Sequence, residues 1–156
     1  MRIRSPWTLI VCVGASLLAG FLGSFATMGN VEGWYSTLVY PAWAPPNWVF
    51  GPVWTTLYVL MGVAAYLVAV SNRPGKTLVL WLFFAHLILN AFWSIAFFGM
   101  HEILLALIVI VILLAIIIIL ARLFGKYSRT AMLLMVPYVL WVAYATTLNL
   151  GFLVLN

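Results

Sequence analysis

Ile103 to Ala121 reads ILLALIVIVILLAIIIILA, an uninterrupted run with no side chain that can hydrogen bond or carry charge. A helix apolar on every face has nowhere to hide in water, and about 20 such residues are what the hydrocarbon of a bilayer requires. Four more stretches are nearly as apolar, which places spans at about residues 7–28, 48–70, 76–98, 103–124 and 130–153. A membrane barrel would need short segments of alternating hydrophobicity, and the aliphatic runs exclude it. The expected fold is an all-α integral membrane protein, a single bundle of five transmembrane helices in a lipid bilayer. Residues 29–47 form a loop over one end of it. With 67% hydrophobic residues against seven basic and two acidic side chains, the chain could not cover a core in water.

Five spans put the N-terminus and the loops after the second and fourth spans on one face. Arg2, Arg4, Arg73, Lys76, Arg122, Lys126 and Arg129, all seven basic residues, fall there, while Glu32 and Glu102 fall on the other. The positive-inside rule then predicts a cytoplasmic N-terminus, the outer loop and C-terminus opposite, and a cytoplasmic (inner) membrane location. The formal charge of +5 thus reports topology. Basic residues spread over three short junctions do not make a nucleic-acid surface. The first apolar run is too long for the core of a cleaved signal peptide, so it is read as a retained span. Its Ala15, Ala19 and Gly23 permit close helix approach, within the chain or in a dimer.

Between Trp34 and Tyr58 the chain concentrates four tryptophans, three tyrosines and four prolines without a charge. An interfacial belt explains aromatics at both membrane surfaces, yet the basic side has only Trp7, Trp81 and Tyr127 near it. The asymmetry points to a pocket for a flat, apolar ligand, with residues 34–46 as a lid and Trp54, Tyr58, Met61 and Ala65 on one helical face. Pro41, Pro45 and Pro46 force turns or extended backbone. Pro46 suits the first turn of the second helix, and Pro52 marks either a later start or a kink.

The third span places His86, Asn90, Trp93, Ser94 and Phe97 on one face. Polar groups in a span face the bundle interior. As interhelical glue each contributes about 0.6 kcal/mol on average, and Asn90, level with Trp93, is the better candidate for touching a ligand. The fifth span repeats the arrangement with Tyr138, Trp141, Ala145 and Leu148 or Asn149. Pro137 predicts a kink there, whose freed backbone groups Thr146 and Thr147 are placed to satisfy. Glu102 reads as a helix cap. Cys12 stands alone and neither histidine has further ligating neighbours, so no metal and no cofactor are expected.

Three motifs carry a resemblance across nearly the whole chain. They are Trp34-Tyr35 through Pro41, Pro45-Pro46, Trp54 and Tyr58; Asn90-Ala91-Phe92-Trp93 through Phe98-Gly99-Met100; and Val136-Pro137-Tyr138 through Trp141, Ala145-Thr146 and Leu148-Asn149. In order and spacing the chain resembles the TspO/translocator protein family, the tryptophan-rich sensory proteins also known as the peripheral benzodiazepine receptor family. The resemblance implies a five-helix bundle, commonly a homodimer, with a pocket open toward the outer loop. It implies binding of porphyrins and of isoquinoline- or benzodiazepine-like small molecules. The ligand-binding positions it carries over are Trp54, Asn90, Trp93, Trp141 and Ala145, with Tyr35, Trp43 and Phe50 on the lid side; Tyr58 joins them. Bacterial relatives imply a light- and oxygen-dependent degradation of protoporphyrin, in which Trp54 and Trp141 would be the catalytic residues.

The chain departs from the family pattern in two places. Many relatives carry Lys before the proline matching Pro41, where this chain has Tyr40, and no Lys or Arg stands elsewhere on the outer face. Porphyrin propionates would find no cation there, so neutral ligands are expected to lose less affinity than dicarboxylates. The sterol-recognition pattern of animal relatives needs a basic residue near the end of the fifth helix, and 150–156 has none. The reading is a membrane receptor for porphyrin-type ligands, able to sense or regulate tetrapyrrole levels. A slow photo-oxidative enzyme is the alternative. A small-molecule transporter ranks last, for want of an inverted repeat or an intramembrane carboxylate.

Overall fold

The computed structural model describes residues 5–156; Arg2 and Arg4, invoked above for orientation, lie outside the described residues. Five helices account for nearly all of it: α1 (Pro6–Thr27), α2 (Phe50–Ala69), α3 (Lys76–Ser94), α4 (Ile103–Gly125) and α5 (Arg129–Leu155). Each is long and apolar enough to cross a membrane, and no strand occurs among the described residues. The helices form a closed ring in the order α1, α2, α5, α4, α3, with α3 returning to α1. Consecutive α2 and α3 are not the main neighbours, so the short basic connection between them crosses one end of the bundle.

The boundaries follow local chemistry. Ser5 caps α1, its hydroxyl accepting from the Thr8 amide at 3.3 Å, and Pro6 occupies the first turn, where no donor is missed. Ser128 caps α5 in the same way, accepting from Ala131 at 3.2 Å. Pro46 precedes a short 3₁₀ turn, Asn47–Val49, and Pro52 lies in the first turn of α2, so it marks a later start. Glu102 occupies the cap position of α4, but its side chain makes no capping hydrogen bond. Its carboxylate is left to act only by proximity to the positive end of the helix. α5 continues through Pro137. The hydroxyls of Thr146 and Thr147 donate to the carbonyls of Val142 and Tyr144, so they do not serve the carbonyl that Pro137 leaves unpaired one turn before it.

The small stripe of α1 is used inside the chain. Ala19 and Gly23 are buried, and a Cβ on Gly23 would meet Ser94 at 3.2 Å and the backbone of Ala91 at 3.8 Å. α1 and α2 pack backbone to backbone at Gly62, where a Cβ would sit 2.6 Å from the Cα of Val13. At the basic end, Arg73 donates to the carbonyl of Lys126 and the Tyr127 hydroxyl to that of Pro74 at 3.2 Å, joining the two connections. The largest fully buried side chains, Tyr66, Tyr138, Phe83 and Phe124, fill the centre of the ring.

Candidate functional site

The site is built on one buried amide. Asn90 of α3 is 2% exposed; its Oδ1 accepts from the Tyr58 hydroxyl at 2.5 Å and its Nδ2 donates to the Tyr138 hydroxyl at 3.0 Å. One residue therefore ties α3 to α2 and α5. One turn outward, Trp93 donates through Nε1 to Asn149 Oδ1 at 3.1 Å, and Asn149 Nδ2 donates to the carbonyl of Ile103 at 3.0 Å. Away from water such bonds cannot be exchanged for solvent, so they hold the rings at fixed angles. His86, one turn inward of Asn90, is packed among Phe83 and Tyr138, with Nδ1 against the carbonyl of Phe83. Its Nε2 has no protein partner.

Outward of Asn90 lies a cavity of about 400 Å³ between α1, α2 and α3. Trp54, Tyr58 and Trp93 form its inner wall, Phe50 and Phe98 its outer part, and Gly20 its α1 side. Trp54 stacks on Tyr58 with centroids 5.6 Å apart and lies 6.4 Å from Trp93. A volume of this size and an aromatic lining suit a drug-sized ligand. No residue of the lid lines this cavity; its open side is bordered by Phe21 of α1 and Gly51 and Thr55 of α2, all exposed at the bundle's outer half. Gly20 is small of necessity, since a Cβ would lie 2.2 Å from the Tyr58 ring.

The lid is tied down elsewhere. Trp34–Thr37 forms a 3₁₀ turn that buries Tyr35 against Phe97, Phe98 and Phe152. Burial, with Tyr40 beside it, pushes the Tyr35 phenol above its ordinary range. Tyr40, standing where the family pattern has Lys, donates to the Tyr35 carbonyl at 3.2 Å and packs on Phe152. Trp34 stacks on His101 at 4.4 Å, and His101 holds positive φ of 59° while its Nε2 lies 3.2 Å from Asn30 Oδ1. Further along, Val39 exchanges two hydrogen bonds with the Asn156 side chain, at 2.8 and 3.1 Å. Pro41 and Trp43 press on Gly151, and the Tyr144 hydroxyl donates to the Trp43 carbonyl at 2.7 Å.

The structure thus divides the residues singled out from sequence. Phe50, Trp54, Tyr58 and Trp93 line one cavity, with Asn90 behind them as their framework. Ala145 and Tyr35 lie on the far side of Trp93, beside a void of about 30 Å³. Trp141 borders a separate groove between α2 and α5, touching Phe50 edge-on at 5.9 Å, and its Nε1 is buried without a partner. Trp43 is 52% exposed and packs on α5, away from the cavity. The Trp93 ring, held by Asn149, is what separates Trp54 from Ala145. Sequence reasoning missed the α1 wall of Gly20, Ser24 and Thr27. The signal was a small and polar face at helical spacing at the end of an otherwise aliphatic span. A π-helical turn, Ile95–Gly99, also escaped it; the turn brings Phe97 and Phe98 side by side under the lid.

Comparison with known proteins agrees with this architecture. The model of the TspO/MBR family matches residues 12–155. The chain is 42% identical over 151 residues to the tryptophan-rich protein TspO of Chlorobaculum tepidum, covering 96% of each chain. It is 39% identical over 148 residues to that of Archaeoglobus fulgidus, covering 95% of this chain and 96% of the relative. To the human translocator protein it is 36% identical over 150 residues, covering 92% and 88%. A five-helix bundle with an aromatic cavity at the end away from its basic connections, matched over nearly its whole length by these proteins, belongs to the TspO/MBR family.

Proposed function

We propose that this protein is a membrane receptor for flat, largely apolar ligands, porphyrin-type tetrapyrroles and isoquinoline- or benzodiazepine-like molecules among them, and that it acts as a homodimer in the cytoplasmic membrane. The observation that carries the reading is the cavity of about 400 Å³ walled by Trp54, Tyr58 and Trp93. Those rings stack on a ligand at little entropic loss, because Asn90 and Asn149 already hold two of them in place. Membership of a family of translocator and sensory membrane proteins supports a receptor or regulatory role in general. Titration of the purified protein with protoporphyrin and with a neutral isoquinoline, followed by tryptophan quenching, tests it. Saturable quenching that Trp54→Ala weakens at least tenfold is expected; linear, non-saturating quenching by both ligands would reject the reading.

A photo-oxidative activity on a bound porphyrin is the second reading. It is favoured by Trp54, an oxidisable indole on the cavity wall in contact with Tyr58. Trp141 borders a different groove, so on this geometry Trp54 is the ring that meets the ligand and Trp141 acts only if the ligand rearranges the α2–α5 side. Illumination of the porphyrin complex separates the two. Faster bleaching in the protein than in empty detergent, slowed by Trp54→Phe, supports the activity; equal rates remove it.

A further inference from the structure

A shallow depression of about 420 Å³ at the outer end of α1, bordered by Met28, Gly29 and Glu32, meets the aromatic cavity at Ser24 and Thr27, which line both. Glu32 is exposed, and among the described residues no ion pair engages it. It is one of two acidic side chains in the whole sequence, and among the described residues no lysine or arginine stands on this end of the bundle. Four of the five hydroxyls that line the two spaces, all but that of Ser94, have a shared orientation. Ser24 donates to the carbonyl of Phe21 at 2.6 Å and Thr27 to that of Gly23 at 3.3 Å. Thr55 donates to the carbonyl of Gly51 at 2.9 Å and Tyr58 to Asn90. Their protons are spent on the protein, so what they turn toward an occupant is oxygen lone pairs.

We propose that this site prefers organic cations: ligands with an aromatic body for the Trp54, Tyr58 and Trp93 walls and an ammonium group that reaches past Ser24 and Thr27 to Glu32. The inference rests on the cavity being a ligand site and names the charge it selects. Three features favour a positive group. The carboxylate attracts it, the hydroxyl oxygens of Ser24, Thr27 and Thr55 turn lone pairs toward it, and the faces of the indole rings carry the negative side of their quadrupole toward it. A dicarboxylate is repelled by Glu32 at the same mouth, so porphyrins would bind through their macrocycle and keep their propionates in water.

The experiment compares three matched probes in neutral detergent by tryptophan quenching: a naphthyl-alkyl trimethylammonium, its uncharged tert-butyl isostere, and the naphthyl-alkyl carboxylate, with protoporphyrin as a reference. The trimethylammonium carries a fixed charge, so ligand titration plays no part. Expected is an order of ammonium over isostere over carboxylate, with roughly a fivefold step for one solvent-accessible ion pair. Glu32→Gln should remove most of the gap between the ammonium and its isostere, leaving the smaller part that the indole faces supply, and added salt should narrow the gap in wild type. Glu102→Gln, which removes the other outer carboxylate, should leave the preference in place. An unchanged preference in Glu32→Gln, an equal loss in Glu102→Gln, or equal binding of ammonium and isostere in wild type would each overturn the inference while the isostere and protoporphyrin still bind. If no probe and no porphyrin saturates, the receptor reading fails and takes this inference with it.

Discussion

Asn90 shows how much a single amide can organise. Both halves of its side chain are occupied, by hydroxyls from two other helices, in surroundings with no water to substitute. Asn90→Ala leaves the Tyr58 and Tyr138 hydroxyls short of partners and should destabilise the bundle by about 2 kcal/mol, read as a lower melting temperature in detergent. It should also free the Tyr58 ring and weaken ligands of either type. His101 is the opposite case, a residue held at an unfavourable backbone angle, φ 59°, for the sake of its ring on Trp34. His101→Ala loses the stack and keeps the strain, whereas His101→Gly loses the stack and relieves it. The glycine variant should therefore be the more stable of the two by about 1 kcal/mol, again measured by thermal melting. Asn90 was legible because a polar residue in an apolar span is conspicuous. The orientation of Trp43 and Trp141 was not, because a tryptophan suits a pocket wall, a lipid face and a lid contact equally well.

At the scale of the helix, apolar runs gave the five helices, the one cap read from sequence, Glu102, makes no capping bond, and the small residues of α1 gave one of its contacts. Ala15, Ala19 and Gly23 were read as a stripe open to either use; Gly23 against Ala91 and Ser94 commits it to α3. Gly62 sets the crossing of α1 and α2. Gly62→Val would drive side-chain atoms into the Val13 backbone, and overpacking of this kind costs about 1–3 kcal/mol. The expected outcome is a lower melting temperature together with greater ligand access to Trp54, seen as faster quenching by a membrane-soluble quencher. An unchanged melting temperature would show that α1 can shift without penalty. What periodicity could not supply was the π-helical turn after Ser94, since one extra residue per turn leaves the apolar pattern of a short aromatic segment almost unaltered. Nor could it show that α5 runs on through Pro137 with its threonines engaged at other carbonyls.

For the whole molecule, five helices long and apolar enough to span a membrane were readable from the chain, while their order around the ring was not. Hydrophobicity says that a helix is buried in lipid or protein but not which helix it touches. The lid was recognisable by its aromatics and prolines, yet its role differs from a cover over the cavity: it is fastened to α5 and to the turn before α4, and the cavity opens between α1 and α2. If that fastening holds the lid, Asn156→Ala should raise hydrogen exchange at the Val39 amide by roughly an order of magnitude and leave tryptophan quenching at Trp54 and Trp93 unchanged. Equal exchange in both proteins would mean that Gly151 and Tyr144 suffice.

The length of α5 has a further consequence. Its 27 residues rise about 40 Å, some 10 Å more than the hydrocarbon core of a bilayer. A helix so much longer than the slab around it leans, and leans further as the slab thins. Because the lid is bonded to α5 at two levels, Val39 to the Asn156 side chain at its C-terminal end and the Trp43 carbonyl to the Tyr144 hydroxyl about three turns before it, that lean would be transmitted to the lid as leverage. Acyl-chain length would thereby become an input to the protein, and the same sequence in a thin and a thick membrane would carry the Val39–Trp43 part of its lid at two different heights relative to Phe97 of the π-helical turn.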